Sequence, residues 1–184
     1  AHYGSMREEV LKAVDDSLSR GDVIMRSDMR EFESAIASMV GTRYAVGVNS
    51  GFDALHHSVR AAGLGPGDEV ITVAHTFVAT VAAIVHCGAT PVLVDVGEDF
   101  NIVMDDLERA ITERTRAVIP VHLNGRLCDM ERLMAIAHAH NLMVIEDAAQ
   151  ALGATFDGRM AGSFGLTGCF SLYPFKMLGA FGDG

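Results

Sequence analysis

Apolar residues recur along the chain in two rhythms. Helical spacing marks residues 6–18 through Val10, Leu11, Val14 and Leu18, ending near Gly21. Asp28 and Glu31 stand at capping-box spacing and predict a helix through Phe32, Ile36 and Met39 that stops at Gly41. Helical patterns follow over 51–62, 76–85, 105–111 and 129–140, with Asn49 and Ser50 capping the first and Asp129 the last. Between them, short apolar runs predict strands at 44–48, 69–73, 90–96, 116–123 and 142–145, the last running into Glu146 and Asp147. A further strand is expected at Cys169, Phe170 and Leu172. The unbroken apolar run at 90–96 is what a strand covered on both faces looks like. Strands alternating with helices predict parallel βαβ units, hence an α/β fold of three layers (αβα) with a mainly parallel sheet. Residues 63–68 form a turn, and no repeat, low-complexity tract or linker interrupts the pattern, so one domain or part of one is expected.

Composition narrows the partners. With 14 basic against 24 acidic residues the formal net charge is −10, which argues against nucleic acid or an acidic membrane surface. A small phosphorylated ligand stays compatible, because a helix N-terminus binds phosphate without any basic residue. Hydrophobic residues at 49% and 19 glycines suit a folded α/β domain, and 184 residues allow one sizeable core. No run approaches the ~20 apolar residues of a membrane span and no secretory signal is visible, so a cytoplasmic protein is expected. Cys87, Cys128 and Cys169 are scattered and odd in number, reading as buried thiols of a reducing compartment rather than a disulfide framework or a metal site. Residues 1–5 read as an expression remnant before Met6.

In parallel sheets ligands bind beyond the carboxyl ends of the strands, and polar residues of this chain collect there. Asn49, Ser50, Gly51 and Phe52 form a turn leading directly into a helix, with free N–H groups, a hydroxyl and a glycine that admits close approach. The same residues also suit an ordinary helix cap. Neither a GxGxxG nor a GxxxxGK[ST] pattern is present, which removes the best support for dinucleotide or nucleoside-triphosphate binding. Phe77, just past a strand, is placed either to stack on a flat heteroaromatic ring or to pack in the core. His75 is either pocket lining or a structural histidine.

Asp147 follows an apolar strand, where a buried carboxylate needs a cationic partner unless it merely caps a helix. A protonated pyridine nitrogen is such a partner, and Gln150 lies three residues on, within reach of the same ring's phenolic oxygen. Ser171 adds a hydroxyl for phosphate. Lys176 stands among apolar and glycine residues, where desolvation favours the neutral, nucleophilic amine that forms a Schiff base with a carbonyl compound such as pyridoxal 5′-phosphate (PLP). The other histidines (His56, His57, His86, His138, His140) lack metal-ligand spacing, and Asp105, Asp106 and Glu108 fit a helix first turn favoured by the dipole.

Cradle, aromatic, carboxylate and lysine in this order make the chain resemble the DegT/DnrJ/EryC1/StrS family of PLP-dependent nucleotide-sugar aminotransferases. The matching stretches are EFESAIASMVGTRYAVGVNSGFDAL (31–55), GPGDEVITVAHTFVATVAAI (65–84), GATPVLVDV (88–96), VIPVHLNGRLCDM (118–130), VIEDAAQALGA (144–154) and GSFGLTGCFSLYPFKMLGAFGDG (162–184). EDAAQ followed by FSLYPFK is the most specific combination. The resemblance implies an aspartate aminotransferase-like (fold type I) large domain, with residues 1–21 as remnant and leading helix and 22–184 as the PLP-binding part. It implies Lys176 as the covalent and proton-moving lysine, Asp147 at the ring nitrogen, Gln150 at the O3′ side and Phe77 on the ring. Ser50, Gly51, Phe52 and Ser171 would hold the phosphate. Glutamate is the implied amino donor, a keto-sugar on a nucleoside diphosphate the acceptor, and a homodimer with shared active sites the assembly.

Two departures stand out. Phe52 occupies a position where small or polar residues are frequent, although a backbone contact is indifferent to that. Family members are about twice this length, so the chain is expected to be the N-terminal part of the large domain, cut short at Gly184 without the small C-terminal domain. Competing readings are a PLP-dependent sugar dehydratase, disfavoured because that variant has histidine in place of Lys176, a non-catalytic PLP or nucleotide-sugar binding module, and a nicotinamide Rossmann enzyme.

Overall fold

The computed structural model describes residues 2–21, 24 and 27–184. Ala1, in the expected remnant, and Asp22, where the PLP-binding part is expected to begin, lie outside the described residues. The chain divides into two compact units, Ala1–Gly47 and Val48–Gly184.

The first unit carries α1 (His2–Arg20) and α2 (Ser27–Val40). Asp28 is not the cap expected of it. It lies inside the first turn of α2, and its carboxylate accepts from Ser17 Oγ and Arg20, both at 2.8 Å. The strand expected at 44–48 does not form: Tyr44 and Val46 are each 77% exposed, and the Gly47 N–H donates to the Glu33 carboxylate at 2.8 Å instead of to a neighbouring strand. An apolar run makes a strand only when a partner meets its backbone, and this one bonds a side chain.

The second unit is the sheet and its helices. Its elements are α3 (Gly51–Ala61), β1 (Glu69–Val73), α4 (Val78–His86), β2 (Thr90–Val94), α5 (Met104–Arg109), β3 (Thr115–Val118), α6 (Met130–Ala139), β4 (Met143–Asp147), β5 (Thr155–Phe156), β6 (Arg159–Met160) and β7 (Thr167–Cys169). Five strands form a parallel sheet in the order β2-β1-β3-β4-β7. The pleat sends alternate residues to opposite faces. Val70, Ala117, Ile119 and Ile145 pack with Leu55 and Val59 of α3 and Ala83 and Ile84 of α4. Ile71, Val73, Val118 and Val144 pack with Leu107 of α5 and Leu133 and Ile136 of α6. Three layers result, as the alternation of elements predicts.

The edges depart from expectation. β2 ends the sheet with a single neighbour, and Leu93 is 51% exposed, so its apolar run is not a strand covered on both faces. β7 stops at Cys169, leaving Phe170 and Leu172 in irregular chain. β5 and β6 form a small hairpin unforeseen in the sequence, turned by Asp157 and Gly158 at φ 48° and 77°. Asp-Gly between short strands is the local signal of such a turn, in which both residues need positive φ. Cys87 is half-buried, unlike Cys128 and Cys169, whose burial pushes both thiols up to about 12.

Candidate active site

From β1 the chain crosses to β2 on one side and then to β3 on the other, so the strand order reverses between β1 and β3. Crossovers leaving in opposite directions open a crevice beyond the carboxyl ends of those strands. A cavity of about 530 Å³ lies there, within the second unit. Ser50, Gly51, Phe52, Phe77, Asp147, Gln150, Ser171 and Lys176, chosen from the sequence, all line it.

Asp147 ends β4, and the pleat turns it to the α3/α4 side, opposite Glu146. Its side chain is almost wholly buried: Oδ2 accepts from Thr80 Oγ1 at 2.7 Å and Oδ1 from the Ala149 N–H at 3.2 Å. Burial pushes its carboxyl above the usual carboxylate range, and the Thr80 hydroxyl, the Ala149 N–H and the charges of His122 and Lys176 oppose that without reversing it. A carboxylate in this state gains most from a cation brought into the cavity.

Ser50 caps α3 with extended backbone (φ −163°, ψ 164°), and its Oγ accepts from the Asp53 N–H at 3.1 Å. The N–H groups of Gly51 and Phe52, in the first turn, have no acceptor within the helix. Opposite them stands Ser171. A Cβ built on Gly51 would come within 2.8 Å of Ser171 Cβ, so only glycine lets these two segments approach so closely. Phe52 itself packs among histidines, stacked on His56 at 5.7 Å and edge-on to His86 at 5.5 Å between ring centroids. His75 is exposed, edge-on to Phe100 at 5.4 Å.

Lys176 is half-buried, and its neighbours in sequence do not enclose it, since Phe175 is 90% and Met177 76% exposed. Its place in the cavity comes from a turn in which the Lys176 N–H donates to Tyr173 O at 2.8 Å. Gln150 Oε1 accepts from the Asn124 N–H at 3.1 Å, which leaves the amide NH₂ as the end a ligand would meet. Phe77 is the extended residue before α4, 71% exposed at the cavity rim.

Four residues of the site escaped sequence reasoning. Thr80 is fully buried behind Asp147, and Thr76, which lines the cavity, lies 2.8 Å from it between hydroxyl oxygens. His122, also in the lining, places Nε2 at 3.1 Å from Glu146 Oε2. Glu146 additionally accepts from the N–H groups of Gly162 (2.7 Å), Phe164 (2.7 Å) and Gly165 (2.8 Å). Burial works to raise its carboxyl, but the His122 ring and the Gly165 and Gly162 N–H groups outweigh that and hold it below the usual range. An ionised Glu146 can only accept, so His122 Nε2 carries the proton. No spacing rule links any of these partners, which lie 16 to 24 residues from Glu146 and 67 residues apart for Thr80 and Asp147.

The profile of the DegT/DnrJ/EryC1/StrS aminotransferase family matches residues 4–184. The chain belongs to this family. Among its relatives is the UDP-N-acetyl-3-dehydro-alpha-D-glucosamine 3-aminotransferase of Acidithiobacillus ferrooxidans, 47% identical, aligned over 100% of this chain and 50% of that protein. DesV of S. venezuelae, solved in complex with a ketimine intermediate, matches with TM-score 0.96 at 45% identity over 100% of this chain and 50% of its own. NtdA from Bacillus subtilis, solved with bound cofactor PMP, matches with TM-score 0.92 at 34% identity over 97% and 40%. The chain thus spans about half the length of the relatives it matches. As a DegT/DnrJ/EryC1/StrS member it has the α/β large-domain fold of PLP-dependent aminotransferases, with the cavity at the strand-order reversal.

Proposed function

We propose that this chain carries the cofactor-holding half of a PLP-dependent aminotransferase, which moves an amino group from L-glutamate to a keto-sugar linked to a nucleoside diphosphate. The observation that carries the reading is a buried Asp147 carboxylate sharing one cavity with the Lys176 amine and the Gly51–Ser171 approach. The residues fit PLP at both of its polar ends. A pyridinium nitrogen answers the cation demand of Asp147, and a phosphate answers the first-turn N–H groups of Gly51 and Phe52. When bound, PLP supplies an aldehyde carbon for amino-group attachment and a ring that withdraws electrons from the reacting carbon.

The protein's share is binding, orientation and proton handling. Ser50, Gly51, Phe52 and Ser171 hold the phosphate, the first three largely through helix-start N–H groups. Asp147 keeps the ring nitrogen protonated, Gln150 offers its NH₂ to the phenolic oxygen, and Phe77 covers a ring face. Lys176 Nζ would hold the cofactor's aldehyde carbon covalently and, as a free amine, would take up and return a proton at the reacting carbon. Residues 22–184 serve as the PLP-binding part after a leading segment 1–21. The exposed Phe77, Phe175 and Met177 suit a homodimer in which a partner covers the cavity rim. Among the described residues no helix is long and apolar enough to cross a membrane, and the three cysteines are free; both suit a cytoplasmic reaction.

The test is spectroscopic and then kinetic. Added PLP should give a protein-bound absorbance band that Lys176→Ala abolishes, and L-glutamate with a nucleotide-linked keto-sugar should give the amino-sugar. A wild-type protein that binds PLP no better than the Lys176→Ala variant would remove this reading.

A further inference from the structure

The buried hydroxyl behind Asp147 has a directional chemistry of its own. Thr80 Oγ1 lies within bonding distance of three acceptors: Asp147 Oδ2 at 2.7 Å, Thr76 Oγ1 at 2.8 Å and Phe77 O at 3.2 Å. It owns one proton. A charged acceptor at the shortest distance takes that proton, because charge-assisted bonds are shorter and about twice as strong as neutral ones. The Thr76 hydroxyl must then be the donor in its contact with Thr80. The bonds run one way, from Thr76 to Thr80 to Asp147, starting at a residue that lines the cavity. With the Ala149 N–H on Oδ1, each Asp147 oxygen has one fixed protein donor.

We infer that Thr80 is a positioning residue: its hydroxyl, ordered by Thr76, fixes the Asp147 carboxylate to receive the cationic nitrogen of a pyridine ring. This rests on the PLP reading above, and it adds that a helix packed on the Asp147 face of the sheet sets the carboxylate's orientation. Thr80 touches neither cofactor nor substrate; it acts through Asp147. Burial works against the charged form of Asp147, and the Thr80 hydrogen bond is the strongest influence on the other side. The titratable groups around Asp147 are His122 beyond β3, Lys176 in the turn after β7, and the Cys169 thiol on β7, whereas α4 contributes the Thr80 hydroxyl and the segment before it the Thr76 hydroxyl.

The experiment separates this inference from the reading beneath it. In cofactor-free protein carrying ¹³C-labelled aspartate, the Asp147 carboxyl, assigned by its absence in Asp147→Asn, is titrated by NMR. Thr80→Val should move its midpoint upward and Thr80→Ser should restore it, with Thr76→Val giving a smaller shift in the same direction. The PLP dissociation constant, read by fluorescence quenching, should rise roughly tenfold in Thr80→Val, the effect of one hydrogen bond to a charged group, and return in Thr80→Ser. An unchanged Asp147 midpoint in a folded Thr80→Val protein overturns the inference, and so does a changed midpoint with an unchanged dissociation constant. If the wild type binds no PLP, the cofactor reading falls and takes the ring-directed role of Thr80 with it, while a shifted midpoint would still register the Thr80 bond itself.

Discussion

Asp147 and Lys176 face the same cavity from walls of different construction. On the Asp147 side the wall is sheet and helix: β4 lies between β3 and β7, and both carboxylate oxygens are taken by the Thr80 hydroxyl and the Ala149 N–H. On the Lys176 side, residues after β7 form turns, held by Lys176 N–H to Tyr173 O and Ala180 N–H to Leu172 O, both at 2.8 Å, with large apolar residues facing outward. The difference suits the two tasks. In the proposed reaction Asp147 has to stay charged and aimed against the cost of burial, which needs fixed donors, whereas the Lys176 amine has to bond, release and move a proton, which needs freedom. Fixed donors on one side and an amine carried by turns on the other match the division of labour in the proposed reaction.

The sharpest break removes the amine. Lys176→Ala should abolish covalent PLP, checked by mass spectrometry after borohydride reduction, and transamination with it; a reduced adduct surviving in the variant would assign the bond elsewhere. Next is the fixed partner. Asp147→Asn should lower transamination by orders of magnitude while some PLP remains bound, because phosphate and lysine contacts persist while the ring loses its protonated state. Undiminished turnover in that variant would mean that Asp147 does not face the nitrogen.

Glu146, adjacent in sequence and on the opposite face, belongs wholly to the rigid wall. Glu146→Gln should cost about 3 kcal/mol of stability, as for one partner removed from a buried pair. Because the folded carboxyl is held below its ordinary value, its contribution is fully present above the unfolded pKa, near 4.5, and disappears as pH falls through the lower folded value. Urea denaturation of wild type and variant should therefore differ at pH 7 and converge in acid. A gap that stays constant down to low pH would place the cost in packing rather than in the charge.

How much of this could be read in advance follows the same division. The sheet was legible because β1, β3 and β4 are buried on both faces, so their apolar runs are long and bounded by helical patterns. The residues that meet in the cavity were legible where a telling residue stands at a boundary: Asp147 at the end of an apolar strand, Lys176 after FSLYP, Gly51 at a helix start. What failed depended on a partner distant in sequence. Residues 44–48 look like a strand but meet no ladder, and residues 90–96 look covered yet lie at an edge. Thr80 reads as a helix residue among apolar neighbours until β4 brings Asp147 against it. The hairpin at Asp157 and Gly158 is different, since its local signal was present and went unread.

Ser171 stands at the junction of the two walls, opposite Gly51 and at the start of the turns. Ser171→Ala should weaken PLP binding by about 1 kcal/mol, near fivefold in the dissociation constant, and should leave the Asp147 titration unmoved. Its Oγ also accepts from the Tyr173 N–H at 3.3 Å, a long bond on the surface, so loss of that contact adds little to the change. An unaltered dissociation constant would remove Ser171 from the phosphate site and leave the helix start to hold it alone.

The smallest effect is the one that tests the exposed wall. Phe175 is 90% exposed, with a tilted ring contact to Tyr173 at 5.9 Å between centroids. Removing a side chain that buries so little should change folding stability by no more than about 0.5 kcal/mol. The same ring at the rim of the cavity presents apolar area that a partner would cover, so Phe175→Ala should shift the monomer–dimer balance in analytical ultracentrifugation while leaving the denaturation midpoint of the monomer in place. A large loss of monomer stability would show that Phe175 packs into its own chain. That would make the turns after β7 as rigid as the sheet, and the contrast between the two walls would be lost.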